Sequence, residues 1–298
     1  MLEAVERRIA QYIEDLEDAD ARRLYAGLPA GKRLRARLIL TIAGPTPAAI
    51  KTAAVVEMIH AASLLHDDVI DDAFVRRGRP SINALYGNKT SIMFGDVLYS
   101  KAFHELVDID RRVARSISAA VVQLSLGERR DVLLSEGFNL DRDAYLKMIY
   151  QKTASLIEAA SEAAALLAGK DPEPYRTYGR NLGIAFQMID DLLDITQSSE
   201  TLGKPAMHDY EEGKTTLPYL YLYEALDEEE RERLLALWKR PLDAQEQAWI
   251  RDRMERHGIL RRCALEAREL VEEAIALMER EGERDLEEIA RKMIERNF

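Results

Sequence analysis

The sequence contains a single cysteine, Cys263, among its 298 residues. One cysteine cannot form an internal disulfide, and it cannot supply a cluster of thiolate ligands to a metal. A disulfide-stabilised scaffold and a zinc site built on cysteine are therefore both excluded. We expect the thiol to pack as a small buried residue in a protein from a reducing compartment.

Positive charge and long apolar runs are also scarce. The chain has 53 Asp and Glu residues against 42 Lys and Arg, a formal net charge of −11, which argues against a nucleic-acid partner. The N-terminal segment MLEAVERRIAQYIEDLEDAD is charged throughout and lacks the apolar core of a signal peptide. We expect no apolar run of membrane-spanning length, and hence a cytoplasmic protein without a transmembrane segment.

Proline is missing from two long stretches, 81–171 and 242–298. Within them Ala, Leu, Glu, Arg and Ile dominate, and apolar residues recur three and four positions apart, which predicts helices joined by short turns. The segments 169–172 and 239–241 are typical of helix-ending turns but are too short for linkers between domains. We therefore expect an all-α, single-domain helical bundle over residues 1–298.

An acidic cluster ends the apolar segment HAASLLHDDVIDD. Asp67 and Asp71 are four residues apart and would share one face of a helix, with Asp68 at its edge. Carboxylates this close repel one another, and they are the hard oxygen ligands that Mg²⁺ uses together with diphosphate oxygens. The cluster predicts a cation site, although a solvated acidic helix face would have the same spacing.

A second cluster repeats this spacing in the apolar segment GIAFQMIDDLLDI, as Asp190, Asp191 and Asp194. A single DDxxD pattern is weak evidence, because a solvated acidic helix produces it too. Two copies on apolar helices are less readily explained by chance. We interpret both clusters as metal-binding.

Basic groups accompany both clusters. Arg76 and Arg77 precede Gly78 and Pro80, which predict a loop that brings guanidinium groups to the first cluster. The segment GKRLR opens a predicted helix that would carry Lys32 and Arg35 on one side, as a second anion site. A basic turn on the surface would have the same composition.

Further polar groups lie in apolar or loop segments. Lys152, beside Thr153 in the helix-like segment YQKTASLIEAA, must extend to solvent, pair or bind an anion. Lys204 and Lys214 belong to a segment rich in Gly and Pro that predicts a loop. His60, two helical turns before Asp67, is placed to bind a phosphate, but a lone histidine is more often a core residue.

From about Gly31 to Pro218 the order of these motifs resembles the polyprenyl synthetase family. The resemblance implies an orthogonal helical bundle of the isoprenoid synthase type. It also implies a Mg²⁺-dependent prenyltransferase that condenses an allylic diphosphate with isopentenyl diphosphate by ionisation, condensation and elimination, without a protein nucleophile. A homodimer is implied too, with a peripheral membrane contact for product release.

Matched residue by residue, the resemblance implies a role for each motif. The metal ligands are expected to be Asp67, Asp68, Asp71, Asp190, Asp191 and Asp194, with metals bridging both motifs to one diphosphate. The isopentenyl diphosphate ligands are expected to be Lys32, Arg35, His60 and Arg77. The groups for the allylic diphosphate are expected to be Arg76, Lys152, Thr153, Gln187, Lys204 and Lys214.

The sequence departs from the family pattern without losing a charged ligand. Ala30 and Ala36 replace a glycine and a proline that often flank the first basic motif. Met207 and His208 replace a pair of small residues usual before Asp209.

Product length is the least determined property. Ala62 and Ser63 lie five and four residues before Asp67, where short-chain synthases of the family usually carry aromatic rings, and Met58 is flexible rather than planar. We expect an open tunnel and a hexaprenyl to octaprenyl product of the kind that supplies quinone side chains.

Other functions are compatible with parts of the pattern. A short-chain farnesyl or geranylgeranyl diphosphate synthase is the first alternative, and an acidic bundle without chemistry is the least specific. A class I terpene cyclase is disfavoured by the second DDxxD motif. A non-catalytic partner subunit is disfavoured because both acidic motifs are intact.

Overall fold

The structure is a computed structural model that describes residues 1–29, 31–196 and 207–295. Most of these residues are helical, which confirms the predicted all-α class. In chain order the helices are α1 (Leu2–Glu14), α2 (Ala19–Gly27), α3 (Leu34–Ala43), α4 (Pro47–Ile70), α5 (Ile82–Tyr86), α6 (Asn88–Leu106), α7 (Arg111–Leu134), α8 (Arg142–Ile149), a π-helix (Tyr150–Ala154), α9 (Ser155–Ala168), α10 (Pro172–Thr196), α11 (His208–Glu211), α12 (Leu217–Ala225), α13 (Glu228–Leu237), α14 (Ala244–Arg256), α15 (Ile259–Glu281) and α16 (Arg284–Glu295). Between α4 and α5, strands β1 (Val75–Arg76) and β2 (Arg79–Pro80) form an antiparallel hairpin, too short for a sequence period to reveal.

Helices begin and end at prolines and at turn segments, as the sequence predicted. Helix α9 ends at Ala168, Gly169 adopts a left-handed backbone with φ 68°, and Pro172 opens α10. Helix α4 likewise begins at Pro47, after Thr46 has accepted a 3.1 Å hydrogen bond from the N–H of Ala49. Proline suits the first helical turn because its missing N–H would have no partner there.

By their internal contacts the residues group into two compact units. The first comprises Met1–Val122 and Leu156–Gly179, and the second comprises Gln123–Ser155 and Arg180–Phe298. The expectation of a single domain over residues 1–298 stays a prediction.

Helix α4 supports the first unit. It packs against α1, α3 and α6 and buries residues on all its sides, among them Val55, Val56, Met58 and Ile59. A helix that is apolar all round is stable only when other elements surround it. The end of α4 that carries the first acidic cluster is therefore anchored in a packed core.

Helix α4 is also apolar enough to span a membrane by length and composition. It has 24 residues and contains a stretch that is apolar enough to cross a membrane, so the expectation of no such apolar run is wrong. However, 67% of this apolar stretch is buried inside the protein, as in the core helix of a globular unit.

Helix α15 has the corresponding place in the second unit. It packs against α12, α14 and α16, and it contributes Ala267, Val271 and Met278 to the core. Cys263 on the same helix is only 1% exposed, which confirms that the single thiol is a packing residue.

The helix predicted around Lys152 is locally a π-helix, Tyr150–Ala154, that continues α8 into α9. Two glycines of the second unit lie against it. A Cβ added to Gly127 of α7 would be 2.3 Å from the backbone nitrogen of Lys152, and one added to Gly183 of α10 would be 2.5 Å from the Cα of Ala154. Since neither position has room for a side chain, the glycines set how closely α7 and α10 approach the π-helix.

Replacing Gly183 by alanine should therefore destabilise the protein. We expect Gly183→Ala to lower the free energy of unfolding by about 1–3 kcal/mol, because its methyl group would overlap the backbone of Ala154. Denaturant unfolding measures this. The control is Gly137→Ala, where among the described residues nothing lies within 4 Å of the added Cβ. Its effect should stay within about 0.5 kcal/mol. Equal stability of the two variants would contradict the packing argument.

Candidate functional site

The first acidic cluster lies at the C-terminal end of α4. The helix ends at Ile70, and Asp71 donates its N–H to the carbonyl of Asp67 at 2.8 Å, so the two residues keep their predicted helical spacing. The last carbonyl groups of a helix carry partial negative charge. They add to the charge of the three carboxylates, and the end of α4 therefore favours a cation.

The three aspartates of this cluster differ in exposure. Asp68 is 4% exposed, and Nε of Arg76 donates to its Oδ1 at 2.6 Å. Burial raises the pKa of Asp68, while the charge and the hydrogen bond of Arg76 lower it. Asp67 and Asp71 are half-buried. They are the more accessible of the predicted metal ligands, and Arg76, predicted to bind a diphosphate, also neutralises Asp68.

A β-hairpin, rather than the predicted irregular loop, places the two arginines that follow. Arg76 pairs with Arg79 across the hairpin, and the turn residues Arg77 and Gly78 have φ 52° and 72°. Left-handed backbone at both central positions is what a two-residue hairpin turn requires. For an arginine it costs of order 1 kcal/mol and persists where the surroundings hold it, frequently at binding sites.

Basic groups of the first unit converge on His60 of α4. A Cβ added to Gly31 would lie 3.2 Å from Nη1 of Arg77, so this guanidinium reaches the GKRLR segment. Burial lowers the pKa of His60 well below its usual value, and the charges of Arg35 and Arg77 lower it further. The imidazole is therefore neutral and surrounded by guanidinium groups. The structure thus brings together three of the four residues predicted to bind isopentenyl diphosphate.

Lys32 is placed differently from the prediction. Helix α3 begins only at Leu34, and its cap residue Arg33 has a left-handed backbone with φ 52°. Lys32 therefore precedes the helix and cannot share a helical face with Arg35, so that part of the prediction is wrong. The spacing pattern could not reveal this turn, because the turn depends on the carboxylates of Glu6 and Glu57, which are distant in the sequence and bind the side chain of Arg33.

The second acidic cluster lies in the last two turns of α10. Asp190 is exposed, whereas Asp191 is 3% exposed and Asp194 is 2% exposed. Asp194 accepts the N–H of Asp209 at 3.2 Å, and its carbonyl accepts the N–H of Met207 at 2.8 Å. Asp194 thus fixes the start of α11. Asp190 is the accessible carboxylate of this cluster, and its role as a metal ligand stays a prediction.

Asp191 is held by two donors within the second unit. The hydroxyl of Tyr145 donates to Oδ2 at 2.5 Å, and Nε2 of Gln187 donates to Oδ1 at 2.9 Å. Burial raises the pKa of Asp191 well above its usual value, the charge of Asp209 raises it further, and the two hydrogen bonds oppose this. A cation nearby would favour the ionised form. Metal ligation by Asp191 and Asp194 stays a prediction.

The π-helix residues join the same network. Oγ1 of Thr153 donates to Oε1 of Gln187 at 2.8 Å, which links Thr153 through Gln187 to Asp191. Nζ of Lys152 lies 2.6 Å from Oδ2 of Asp131 and 3.0 Å from Oε2 of Glu128. Of the alternatives that the sequence left open for Lys152, pairing is therefore the one observed.

Lys214 is held by an acidic neighbour. Its Nζ donates to Oε2 of Glu212 at 2.9 Å, and Nε2 of His208 lies 2.9 Å from Oε1 of the same carboxylate. Burial works against ionisation of Glu212, but the hydrogen bonds of His208 and Lys214 outweigh it and lower the pKa to about 2. Lys204 and Ala30 lie outside the described residues.

Four residues that the sequence argument did not name have defined places in these networks. Glu57 contacts the start of α3, and Tyr145 contacts Asp191. Glu128 and Asp131 are the other two. The sequence offers a signal for three of them. Glu57 is an isolated charge in an apolar run, and the two acids on α7 are three residues apart and would share a helix face. For Tyr145 no such signal exists.

The donor chemistry suits a hard divalent cation. Across 1–29, 31–196 and 207–295, no three His, Cys, Asp or Glu side chains lie close enough to hold a metal by themselves. Mg²⁺ usually takes one or two carboxylates and completes its octahedron with water and substrate phosphate. Asp67 and Asp71 in the first unit fit that mode of binding, and so, taken by itself, does Asp190 in the second unit.

The residues predicted to determine product length are in the core of the first unit. Met58 and Ala62 are fully buried, and Ser63 is 5% exposed with its hydroxyl donating to the carbonyl of His60 at 2.9 Å. Their role in product length stays a prediction.

Comparison with known proteins matches residues 22–253 to the model of the polyprenyl synthetase family. A short chain isoprenyl diphosphate synthase of Methanothermobacter thermautotrophicus is 36% identical over 79% of this chain and 77% of that protein. The octaprenyl diphosphate synthase of Escherichia coli is 40% identical over 64% of this chain but only 62% of its own length. The crystal structure of octaprenyl pyrophosphate synthase from Helicobacter pylori superimposes with a TM-score of 0.93 at 41% identity, covering 98% of each chain.

The hydrogen bond from Tyr145 to Asp191 should contribute to stability. We expect Tyr145→Phe to lower the free energy of unfolding by about 1–3 kcal/mol, because a buried carboxylate oxygen loses its donor. The matched control is Tyr219→Phe, since the buried hydroxyl of Tyr219 has no partner among the described residues. That variant should be neutral or slightly stabilising. Thermal and urea unfolding measure both, and a Tyr145→Phe protein as stable as the control would argue against the network.

Proposed function

We propose, since the chain belongs to the polyprenyl synthetase family, that it is a trans-isoprenyl diphosphate synthase. It condenses an allylic diphosphate, farnesyl or geranylgeranyl, with successive isopentenyl diphosphates. The observation that carries the proposal is the pair of aspartate clusters at the C-terminal ends of α4 and α10, each accompanied by basic groups in the family's order. Condensation of labelled isopentenyl diphosphate, with and without Mg²⁺, tests it.

The first unit provides the anion-binding groups for the isopentenyl substrate. Arg35 and Arg77 lie beside the neutral imidazole of His60, and guanidinium groups bind diphosphate oxygens in pairs. We assign isopentenyl diphosphate to these three residues and to Lys32. A neutral His60 adds a hydrogen bond without a further charge.

Ionisation of the allylic substrate requires stabilisation of the departing diphosphate. Mg²⁺, when bound, would offset the negative charge that develops on the diphosphate oxygens. We assign the same role to Arg76, which now bonds Asp68, and to Lys152, which would exchange its carboxylate partners for a phosphate. The allylic C–O bond breaks, the isopentenyl double bond attacks the allylic carbon, and loss of a proton to the departing diphosphate restores a double bond.

Thr153 and Gln187 are assigned to the allylic side of the reaction. Their hydrogen bond, continued to Asp191, keeps both side chains in fixed orientations. Side chains positioned in advance lower the cost of orienting a reactive substrate. No Ser, Cys or Lys nucleophile enters this scheme.

Product length is assigned to the hexaprenyl to octaprenyl range. Support comes from the small side chains of Ala62 and Ser63 and from the octaprenyl synthases among the relatives. A short-chain synthase remains the second candidate, because a relative of that name is 36% identical to the chain. Chromatography of the dephosphorylated products separates the two.

Assembly and location remain predictions. We propose a homodimer, to be checked by light scattering, a cytoplasmic location, and a peripheral membrane contact when the product is released. Nucleic acid is not expected to bind to a chain with a formal net charge of −11.

Removing an accessible carboxylate should abolish condensation. We expect Asp67→Ala and Asp190→Ala to lower kcat by at least about a hundredfold, because each removes a ligand of the catalytic cation. Steady-state assays over a range of Mg²⁺ concentrations measure this, and circular dichroism checks the fold. Asp20→Ala is the control, since that exposed carboxylate pairs only with Arg23 in the contacts described. Near-normal turnover in either cluster variant would refute the metal assignment.

A bulky side chain at position 62 should shorten the product. We expect Ala62→Phe to shift the product towards farnesyl or geranylgeranyl diphosphate while the first condensation continues, because the ring blocks the path of the growing chain. The control is Ala53→Phe, another fully buried alanine of α4. It suffers the same overpacking but should leave the product length unchanged. Unchanged length in Ala62→Phe would disprove the assignment.

A further inference from the structure

Glu57 is a buried acid in the apolar middle of α4. The residue is 2% exposed, and its neighbours in the segment AAVVEMIHAA are almost all apolar. A buried carboxylate is costly unless hydrogen bonds and opposite charge compensate it. Glu57 therefore needs partners, and the structure places them in residues 33–36, at the start of α3.

Both carboxylate oxygens of Glu57 contact that segment. Oε1 accepts the backbone N–H of Ala36 at 3.0 Å, and Oε2 accepts Nη1 of Arg33 at 3.4 Å. Ala36 is the third residue of α3, and the cap residue Arg33 has no side-chain cap hydrogen bond. Glu57 thus does for α3, from a different helix, what an N-cap side chain usually does.

The same carboxylate helps to hold an unfavourable backbone. Arg33 has φ 52°, which an arginine adopts only when other contacts fix it. Glu6 supplies further contacts, since its oxygens lie 2.6 Å from Nε and 3.2 Å from Nη2 of Arg33. The left-handed turn at Arg33 determines where α3 begins and hence where Arg35 lies.

Arg35 has a polar group available for a ligand. Its Nε is buried and has no hydrogen-bond partner among the described residues. Burial lowers the pKa of Arg35, and the charge of Glu57 opposes this. Glu57 thus lowers the electrostatic cost of burying the guanidinium, while both of its own oxygens are already bonded.

We propose that Glu57 is a positioning residue for the site that binds the homoallylic diphosphate. It fixes the first turn of α3 and stabilises the buried charge of Arg35 beside His60, without touching the substrate. The inference rests on the proposed function for the identity of that ligand. It assigns a role to a residue outside both aspartate clusters.

Steady-state kinetics of Glu57 variants test the proposal. We expect Glu57→Ala to raise the KM for isopentenyl diphosphate about tenfold, because the first turn of α3 and the charge of Arg35 would no longer be held in place. The KM for the allylic substrate and kcat should stay within about twofold. Glu57→Asp, one methylene too short to reach Ala36, should likewise raise only the KM for isopentenyl diphosphate. It replaces the alanine variant if that protein does not fold.

Two further variants separate positioning from general damage. Glu57→Gln keeps an acceptor for the N–H of Ala36, so its KM for isopentenyl diphosphate should lie closer to the wild-type value. Glu3→Gln weakens an exposed ion pair with Arg7 within α1 and should change neither KM. Equal increases in both KM values, or a lower melting temperature with both KM values unchanged, would overturn the proposal.

Calorimetric binding of inorganic diphosphate separates this inference from the proposed function. If the wild-type protein does not condense, but Glu57→Ala weakens diphosphate binding and Glu3→Gln does not, the proposed function fails and the positioning role stands. If the wild-type protein condenses and Glu57→Ala shows no KM split, only the positioning role fails. If the wild-type protein is inactive and binding is unaffected by Glu57→Ala, both fail.

Discussion

The most demanding feature of this structure is that both aspartate clusters lie at helix C-termini. These ends already carry partial negative charge, so placing carboxylates there costs free energy. Helices α4 and α10 both end in aspartates, beside carbonyl groups that make a helix C-terminus an unfavourable place for an acid. The buried apolar residues of both helices compensate for that local cost. Each helix end therefore concentrates negative charge that a divalent cation would offset.

Within each cluster the aspartates divide into two roles. Asp68 and Asp191 are buried and bonded, the first by Arg76 and the second by Tyr145 and Gln187. An unpartnered buried carboxylate would cost several kcal/mol, so these partners are structural requirements. Asp67 and Asp190 are more accessible. The repeated DDxxD spacing thus combines an accessible carboxylate with a buried one that ties the helix end to its surroundings.

Backbone irregularities occur where chemistry is proposed. Arg33 and Arg77 have left-handed backbones next to the anion site, and Lys152 and Thr153 lie on a π-helix against which Gly127 packs. Each irregularity costs free energy, and neighbouring contacts hold it in place. They alter the direction of side chains that regular helices would have placed elsewhere.

The sequence by itself determined the all-α class, the helix ends at proline and glycine, and the identity of the acidic and basic motifs, because these depend on local periodicity and spacing. It could not determine which aspartates are buried, that Lys32 precedes α3, or that the chain around Arg77 forms a hairpin. Those properties follow from contacts between residues far apart in the chain, such as Glu57 with Ala36 and Tyr145 with Asp191. Only the tertiary structure decides them, since the burial and partners of a side chain are not functions of its sequence neighbours.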